Sequence, residues 1–222
     1  YLPTATSAAV SLGIPRASGD WRETIADASI DMVAIATPNL LHAPIAIAAL
    51  QAGKAVYCEK PLATTIAESE AMVAAAAATG LPTAVGFTYL YNPMIVLARE
   101  LIAAGEIGEV TAFRGIHAED FMASADAPFN WRCEPDQAGG ALADIGSHII
   151  AMAQHLVGDI ASVSGRLHTA YPTRRDAQGN DRAVTVDDQM DAVVEFAGGA
   201  TGTLAASWIA SGHKMGLAFE VS

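Results

Sequence analysis

Cysteine is scarce in this chain. Cys58 and Cys133 are two in 222 residues. Two cysteines build no disulfide framework, so a reducing cytoplasm is the expected setting. Basic residues are scarce too: 12 Lys and Arg stand against 24 Asp and Glu, giving a formal net charge of −12 and a pI near 4.7. That balance argues against phosphate backbones and anionic lipid surfaces, so neither nucleic acid nor a membrane is expected as a partner. No apolar run of about 18 residues is free of polar breaks, so no segment reads as a membrane span. The opening Tyr1-Leu2-Pro3-Thr4 lacks the basic start and apolar core of a secretory signal, and lacks Met. No Cys-x-x-Cys or His-x-x-x-His spacing is present to suggest a metal. No Gly-x-Gly-x-x-Gly occurs either. What the chain does have is 52% hydrophobic residues and a mean hydropathy of +0.30, enough for a real core in one large or two small domains.

The central stretch is Tyr57-Cys58-Glu59-Lys60-Pro61-Leu62, where a buried strand runs into a sharp turn. Around it the sequence alternates. Ile30–Ala36 is nearly all apolar, as a parallel strand covered on both faces requires, and ends at Thr37-Pro38-Asn39. His42–Gln51 is a helix with Gly53 beyond its end, and Ala55–Glu59 is the next strand. Thr65 and Glu68 form a capping box for a helix through Thr79, stopped by Gly80. Thr83–Thr88 is a third strand, and short helices at Thr4–Leu12 and Trp21–Ala28 precede them all. Strand, helix, strand, helix, strand at this spacing implies a parallel sheet with right-handed crossovers. This is a partial Rossmann-like domain over residues 1–88, whose first strands and glycine-rich loop are expected to lie outside these 222 residues.

Beyond the helix Pro93–Ala104 the pattern changes. Val110–Ile116, Ile160–Thr169, Asp188–Phe196, Thr201–Trp208 and Met215–Val221 read as strands, with one long helix over Ala141–Val157 and a loop over Ala123–Gln137. Gly198-Gly199 is a hairpin turn. Residues 89–222 therefore form an α+β domain with a mostly antiparallel open sheet, and its last strand is expected to be incomplete.

In open α/β sheets ligands lie beyond the carboxyl ends of strands. Lys60 stands at such an end, where a poorly solvated amine can transfer a proton or bind a substrate oxygen; its alternative is a solvated turn lysine. Asp144 and His148 are four apart on the long helix, with Asp144 in its first turn. A carboxylate beside a histidine suits acid–base work near neutral pH, but the same spacing fits a helix-terminus charge and a core histidine. A metal set joining them to His117, Glu119 or Asp120 has no supporting spacing. His117–Asp120 either lines a cleft or is solvated, and Trp131-Arg132 is either a stacking and hydrogen-bonding wall or packing.

Taken together, Ala36-Thr37-Pro38-Asn39-Leu40-Leu41-His42, Cys58-Glu59-Lys60-Pro61-Leu62-Ala63, Val85-Gly86-Phe87 with Tyr91-Asn92-Pro93, and Trp131-Arg132 through Ala138–His148 resemble the Gfo/Idh/MocA family of NAD(P)-dependent oxidoreductases. The resemblance covers nearly the whole chain and implies a Rossmann domain followed by an α/β domain. It implies NAD or NADP as cofactor, lined by Thr37, Pro38, Asn39, His42, Glu59 and Lys60. It implies a sugar, anhydrosugar or polyol substrate bound by Lys60, Trp131, Arg132, Asp144 and His148. Lys60, Asp144 and His148 would be catalytic: His148 as general base, Asp144 orienting and Lys60 beside the reacting hydroxyl. His117–Met122 with Phe129–Arg132 is most like the sugar-type members. A homo-oligomer, dimer or tetramer, is implied as well. An NAD-dependent glycosidase and a non-catalytic nucleotide-sensing regulator are the alternatives within the same family.

Overall fold

A computed structural model describes residues 2–222, which fall into two compact units, one ending at Gly86 and one beginning at Phe87. In the first, helices α1 (Leu2–Leu12) and α2 (Trp21–Ala26) lead into strand β1 (Met32–Ile35). Then follow α3 (His42–Gln51), β2 (Ala55–Cys58), α4 (Ile66–Thr79) and β3 (Thr83–Val85). The strands pair in parallel in the order β1-β2-β3, with Ile35 opposite Cys58 and Cys58 opposite Val85. The carboxyl ends of all three therefore reach one edge. Helix α4 has the expected cap: the Thr65 hydroxyl accepts the Glu68 N–H, Glu68 reaches back, and Gly80 closes the helix at φ 65°.

The core of this unit joins Ile35, Val56 and Cys58 of the strands to Ala43, Ile45, Ala46, Ala49 and Leu50 of α3 and Met72 of α4. The alanines of α3 allow its backbone to pack close to the sheet. Lys54 is also buried there; its Nζ donates to Asp27 O at 2.8 Å and Ile30 O at 2.7 Å. A cation placed on two carbonyls ties the end of α2 to the start of β2 and keeps its hydrogen bonds without water. The strands are shorter than the apolar runs suggest: Ile30–Ala36 supplies Met32–Ile35, and Thr83–Thr88 ends at Val85 before a 3₁₀ turn over Thr88–Tyr91.

The second unit contains α5 (Pro93–Ala103), β4 (Ala112–Ala118), α6 (Ser147–Val157), β5 (Ile160–His168), β6 (Thr173–Arg175), β7 (Asp181–Ala183), β8 (Gln189–Phe196), β9 (Thr201–Ser207) and β10 (Gly216–Val221). Its main sheet has the order β10-β4-β9-β8-β5. The β4–β9 pair is parallel and the other three pairs are antiparallel. Along β9 the burial alternates, with Gly202, Leu204 and Ala206 inward. Helix α6 covers that inner face, with Ile149, Met152 and Leu156 against Phe113, Met190, Val194 and Leu204. Gly115 of β4 makes room for the helix: a Cβ there would lie 2.6 Å from Ile149 Cδ1. The other face is open, leaving Val163, Leu167 and Val193 exposed. β6 and β7 form a small separate antiparallel hairpin.

The expected single helix over Ala141–Val157 has two parts. Leu142–Gly146 is one turn of π-helix, and regular α-helix resumes at Ser147. Its entry is a tight approach: Gly140 has φ 103° and sits against Asp187, whose Oδ2 accepts the Leu142 N–H at 2.8 Å.

Candidate active site

In the first unit the candidate residues lie at the carboxyl edge of the parallel sheet. Cys58 Sγ is buried, and burial followed by the neighbouring Glu59 charge pushes its thiol up to about 11, so it is inert packing rather than a nucleophile. Immediately after it come Glu59 and Lys60, and the Lys60–Pro61 peptide is cis. Glu59 folds back over its own turn. The Lys60 N–H donates to Glu59 Oε2 at 3.2 Å, and Gly86 approaches so closely that a Cβ there would meet Glu59 Oε1 at 2.8 Å. Lys60 is half-buried.

The turn after β1 is joined to the turn after β2 by one side chain. His42, 1% exposed, has Nδ1 2.9 Å from Pro61 O and Nε2 3.1 Å from Thr37 O. The ring is thus a brace between the Thr37–Asn39 and Lys60–Pro61 turns. Asn39 is buried and Pro38 exposed. Thr37 Oγ1 is buried with no hydrogen-bond partner among the described residues. A buried hydroxyl without a partner is costly unless a ligand or water serves it.

In the second unit the candidate residues are built on the π-turn and the first turn of α6. Asp144 is buried, and its Oδ2 accepts from Arg132 Nε at 2.8 Å. The Arg132 guanidinium lies 4.4 Å from the Trp131 ring centroid and 5.2 Å from that of Phe121. The π-turn widens the helix where Asp144 leaves it, a distortion found often at functional sites. His148, 8% exposed, sits in a ring of aromatic groups. Its centroid is 4.8 Å from Tyr89, 5.5 Å from His117 and 5.8 Å from Phe87. His117 is fully buried, with Nδ1 3.0 Å from Ile145 O and Nε2 3.1 Å from Glu119 Oε1. It therefore locks the π-turn from the adjacent strand, and the solvated reading of His117 does not hold. Asp120 turns away to Lys214 Nζ at 2.8 Å.

The loop that carries Trp131 and Arg132 is held by groups the sequence did not single out. Arg174 and Asp188, both fully buried, pair at 3.5 Å. Arg174 also donates to Met122 O, Ser124 O and Ala127 O, and Asp188 accepts from Trp208 Nε1 at 2.7 Å. Gly139 closes the loop: a Cβ there would lie 2.4 Å from Arg132 O. Tyr89 beside His148 was missed as well. An aromatic just past a strand carries no chemical motif, and tertiary contact alone gives it this place. Chemically, this cluster offers a sheltered imidazole for proton transfer and a guanidinium oriented by a carboxylate.

Comparison with known proteins agrees with this architecture. Residues 2–87 match the oxidoreductase family with an NAD-binding Rossmann fold, GFO/IDH/MocA, and residues 95–222 match the GFO/IDH/MocA C-terminal domain. The chain is 40% identical to the levoglucosan dehydrogenase of Pseudarthrobacter phenanthrenivorans, over 98% of this chain and 59% of that protein. It is 32% identical to the scyllo-inositol 2-dehydrogenase (NAD(+)) of Bacillus subtilis, over 91% of this chain and 56% of that one. A solved levoglucosan dehydrogenase in complex with NADH and levoglucosan superposes with a TM-score of 0.96 at 40% identity, covering 100% of this chain and 59% of its own. The chain thus spans under two thirds of the length of these relatives.

Proposed function

The chain belongs to the Gfo/Idh/MocA family of oxidoreductases; from that premise we propose that the protein is a dehydrogenase of a sugar, anhydrosugar or polyol hydroxyl, using NAD or NADP. The observation that carries this reading is His148: a sheltered imidazole, walled by Tyr89, Phe87 and His117, one helical turn after a carboxylate paired with arginine.

The residues at the edge of the first sheet fit the dinucleotide. Thr37 Oγ1 is a buried hydroxyl awaiting a partner, and Pro38, Asn39, Glu59 and Lys60 frame the strand ends where such ligands lie. His42 would serve indirectly, by holding the two turns together. When bound, the nicotinamide accepts the hydride. His148 takes the hydroxyl proton onto a ring nitrogen, and returns it in the reverse direction. The Lys60 ammonium stabilises the developing alkoxide. Asp144 holds Arg132 at a fixed angle, so that Arg132 and Trp131 orient the sugar. Relatives named for NAD(+) and for NADP(+) both occur, so either dinucleotide is proposed. The open face of the second sheet, with Val163, Leu167 and Val193 exposed, is the surface proposed for homo-oligomer formation. Among the described residues no helix is long and apolar enough to cross a membrane, and two buried thiols suit the cytoplasm proposed as its location.

The test is turnover of a panel of free sugars, anhydrosugars, polyols and aryl glycosides with each dinucleotide. Reduced cofactor formed from a free sugar supports the dehydrogenase. Release of the aryl group instead would identify a glycosidase, and tight dinucleotide binding without either reaction would identify a regulator.

A further inference from the structure

The inner face of β4 turns Phe113, Gly115 and His117 toward the helical layer. Phe113 and Gly115 make an apolar seam around Ile149. The next position of that stripe is an imidazole, and it is 1% exposed. A polar ring costs more to bury than leucine unless its nitrogens are served. Both are: Nδ1 lies 3.0 Å from Ile145 O and Nε2 3.1 Å from Glu119 Oε1. A carbonyl only accepts, so the hydrogen of the first contact is on Nδ1. The fold thus sets which way the ring faces and which nitrogen donates to the π-turn.

Glu119 is well placed to hold the ring. Its N–H donates to Ser207 O at 2.8 Å, and its carbonyl accepts from the Ala210 N–H at 2.9 Å. With the backbone tied on both sides, the carboxyl fixes the far nitrogen of His117 and with it the ring's rotation.

The π-turn has three anchors. Asp187 takes the Leu142 N–H, Arg132 takes Asp144, and His117 takes the Ile145 carbonyl. The first two grip the beginning of the turn. His117 grips its end, from which α6 and His148 proceed. The same ring is also a wall of the His148 pocket, with centroids 5.5 Å apart, and Tyr89 touches both rings at 6.1 and 4.8 Å.

We propose that His117, held by Glu119, is a positioning residue for proton transfer: by donating to Ile145 O it fixes the end of the π-turn and so the angle at which the His148 ring is presented. This rests on the dehydrogenase reading, in which His148 takes the hydroxyl proton. A general base must lie within hydrogen-bond reach of the proton it removes, so a small tilt of the ring costs rate more than binding.

The test is steady-state kinetics with D-glucose, 1,5-anhydroglucitol and myo-inositol, each with NAD and NADP, beside hydrogen exchange of residues 142–148 read by mass spectrometry. His117→Leu removes the donor; kcat should fall about ten- to a hundredfold, with sugar KM and NADH affinity each within about threefold. The amides of 142–148 should exchange faster. His117→Asn places an amide N–H near the position of Nδ1, and should recover most of kcat and of the protection. Glu119→Ala, a change at a partly exposed side chain that spares the core, should lower kcat less than His117→Leu, and Glu119→Gln should recover most of that loss. Folded His117→Leu with kcat within twofold of wild type would overturn the proposal. So would equal changes in kcat and sugar KM, unchanged exchange of 142–148, or His117→Asn no better than His117→Leu. If wild type oxidises none of the panel but exchange still follows the His117 donor, the brace stands and the dehydrogenase reading falls. Turnover that depends on His148 and is indifferent to His117 would do the reverse.

Discussion

Asp187 Oδ2 accepts the backbone N–H of Leu142 at 2.8 Å, so a carboxylate 45 residues downstream caps the helical segment that carries Asp144 and His148. Burial holds the Asp187 carboxyl above the ordinary value of 3.8, against the lowering pull of that same hydrogen bond. An acid with a raised folded-state pKa binds its proton more tightly folded than unfolded. Its contribution is therefore most favourable at low pH and declines as pH rises from about 3.8 to the raised value, then stays level. Asp187→Asn keeps an oxygen for Leu142 but has no charge. Urea midpoints of the two proteins across pH should show wild type losing stability relative to Asp187→Asn over that window. A difference that is constant with pH would contradict it.

Gly139→Ala should disturb the loop at its closure. The new Cβ would meet Arg132 O at 2.4 Å and Glu134 O at 2.6 Å, and both are backbone atoms that cannot rotate aside. A loss of about 1–3 kcal/mol in chemical unfolding is expected, the usual cost of overpacking. Because the strain falls on Arg132, sugar KM should rise more than NAD(P) KM. Unchanged stability would show that the loop closes in another way.

Cys58 and Cys133 should resist alkylation in the folded protein. Both are 1% exposed, and burial raises both thiols, Cys58 to about 11. Iodoacetamide at neutral pH should label neither residue over hours and both quickly in denaturant, read by mass spectrometry. Rapid labelling of native Cys58 would place it on an accessible surface.

His148→Ala should lower kcat by roughly 10²–10⁴, the usual worth of a general acid–base, with dinucleotide affinity nearly unchanged. Lys60→Met should damage both kcat and sugar KM, because its charge is proposed to meet the reacting oxygen. Steady-state kinetics with a titration of NADH fluorescence separates the two effects. Wild-type turnover in either variant would remove the role assigned to that residue.

Much of this fold was legible because local signals were complete. The box Thr65–Glu68 and the stop at Gly80 bound α4 without help from tertiary structure, and α3 runs from His42 to Gln51 as its pattern implies. The strand was overextended because the largely apolar run continues past the ladder into turns that the core does not bury: residues 30, 31 and 36 lie outside the ladder, and Asp31 and Ala36 are exposed. The π-turn was illegible, since its cause is distant: Asp187 at one end and His117 under the Ile145 carbonyl. The same holds for Tyr89, Arg174 and Asp188, whose partners lie far along the chain or in a different element. Spacing could suggest that Asp144 and His148 share a helix, but it could not show that Asp144 accepts a hydrogen bond from Arg132.

The proposed activity is transfer of hydride from a sugar carbon to a nicotinamide. The most direct measurement uses a neutral sugar carrying deuterium at the carbinol carbon, oxidised NAD or NADP, and the protein, with mass spectrometry of the cofactor afterwards. The account predicts reduced cofactor bearing one deuterium, formed with wild-type protein and strongly diminished with His148→Ala. Reduced cofactor without the label, or labelled cofactor formed equally well by His148→Ala, would contradict it.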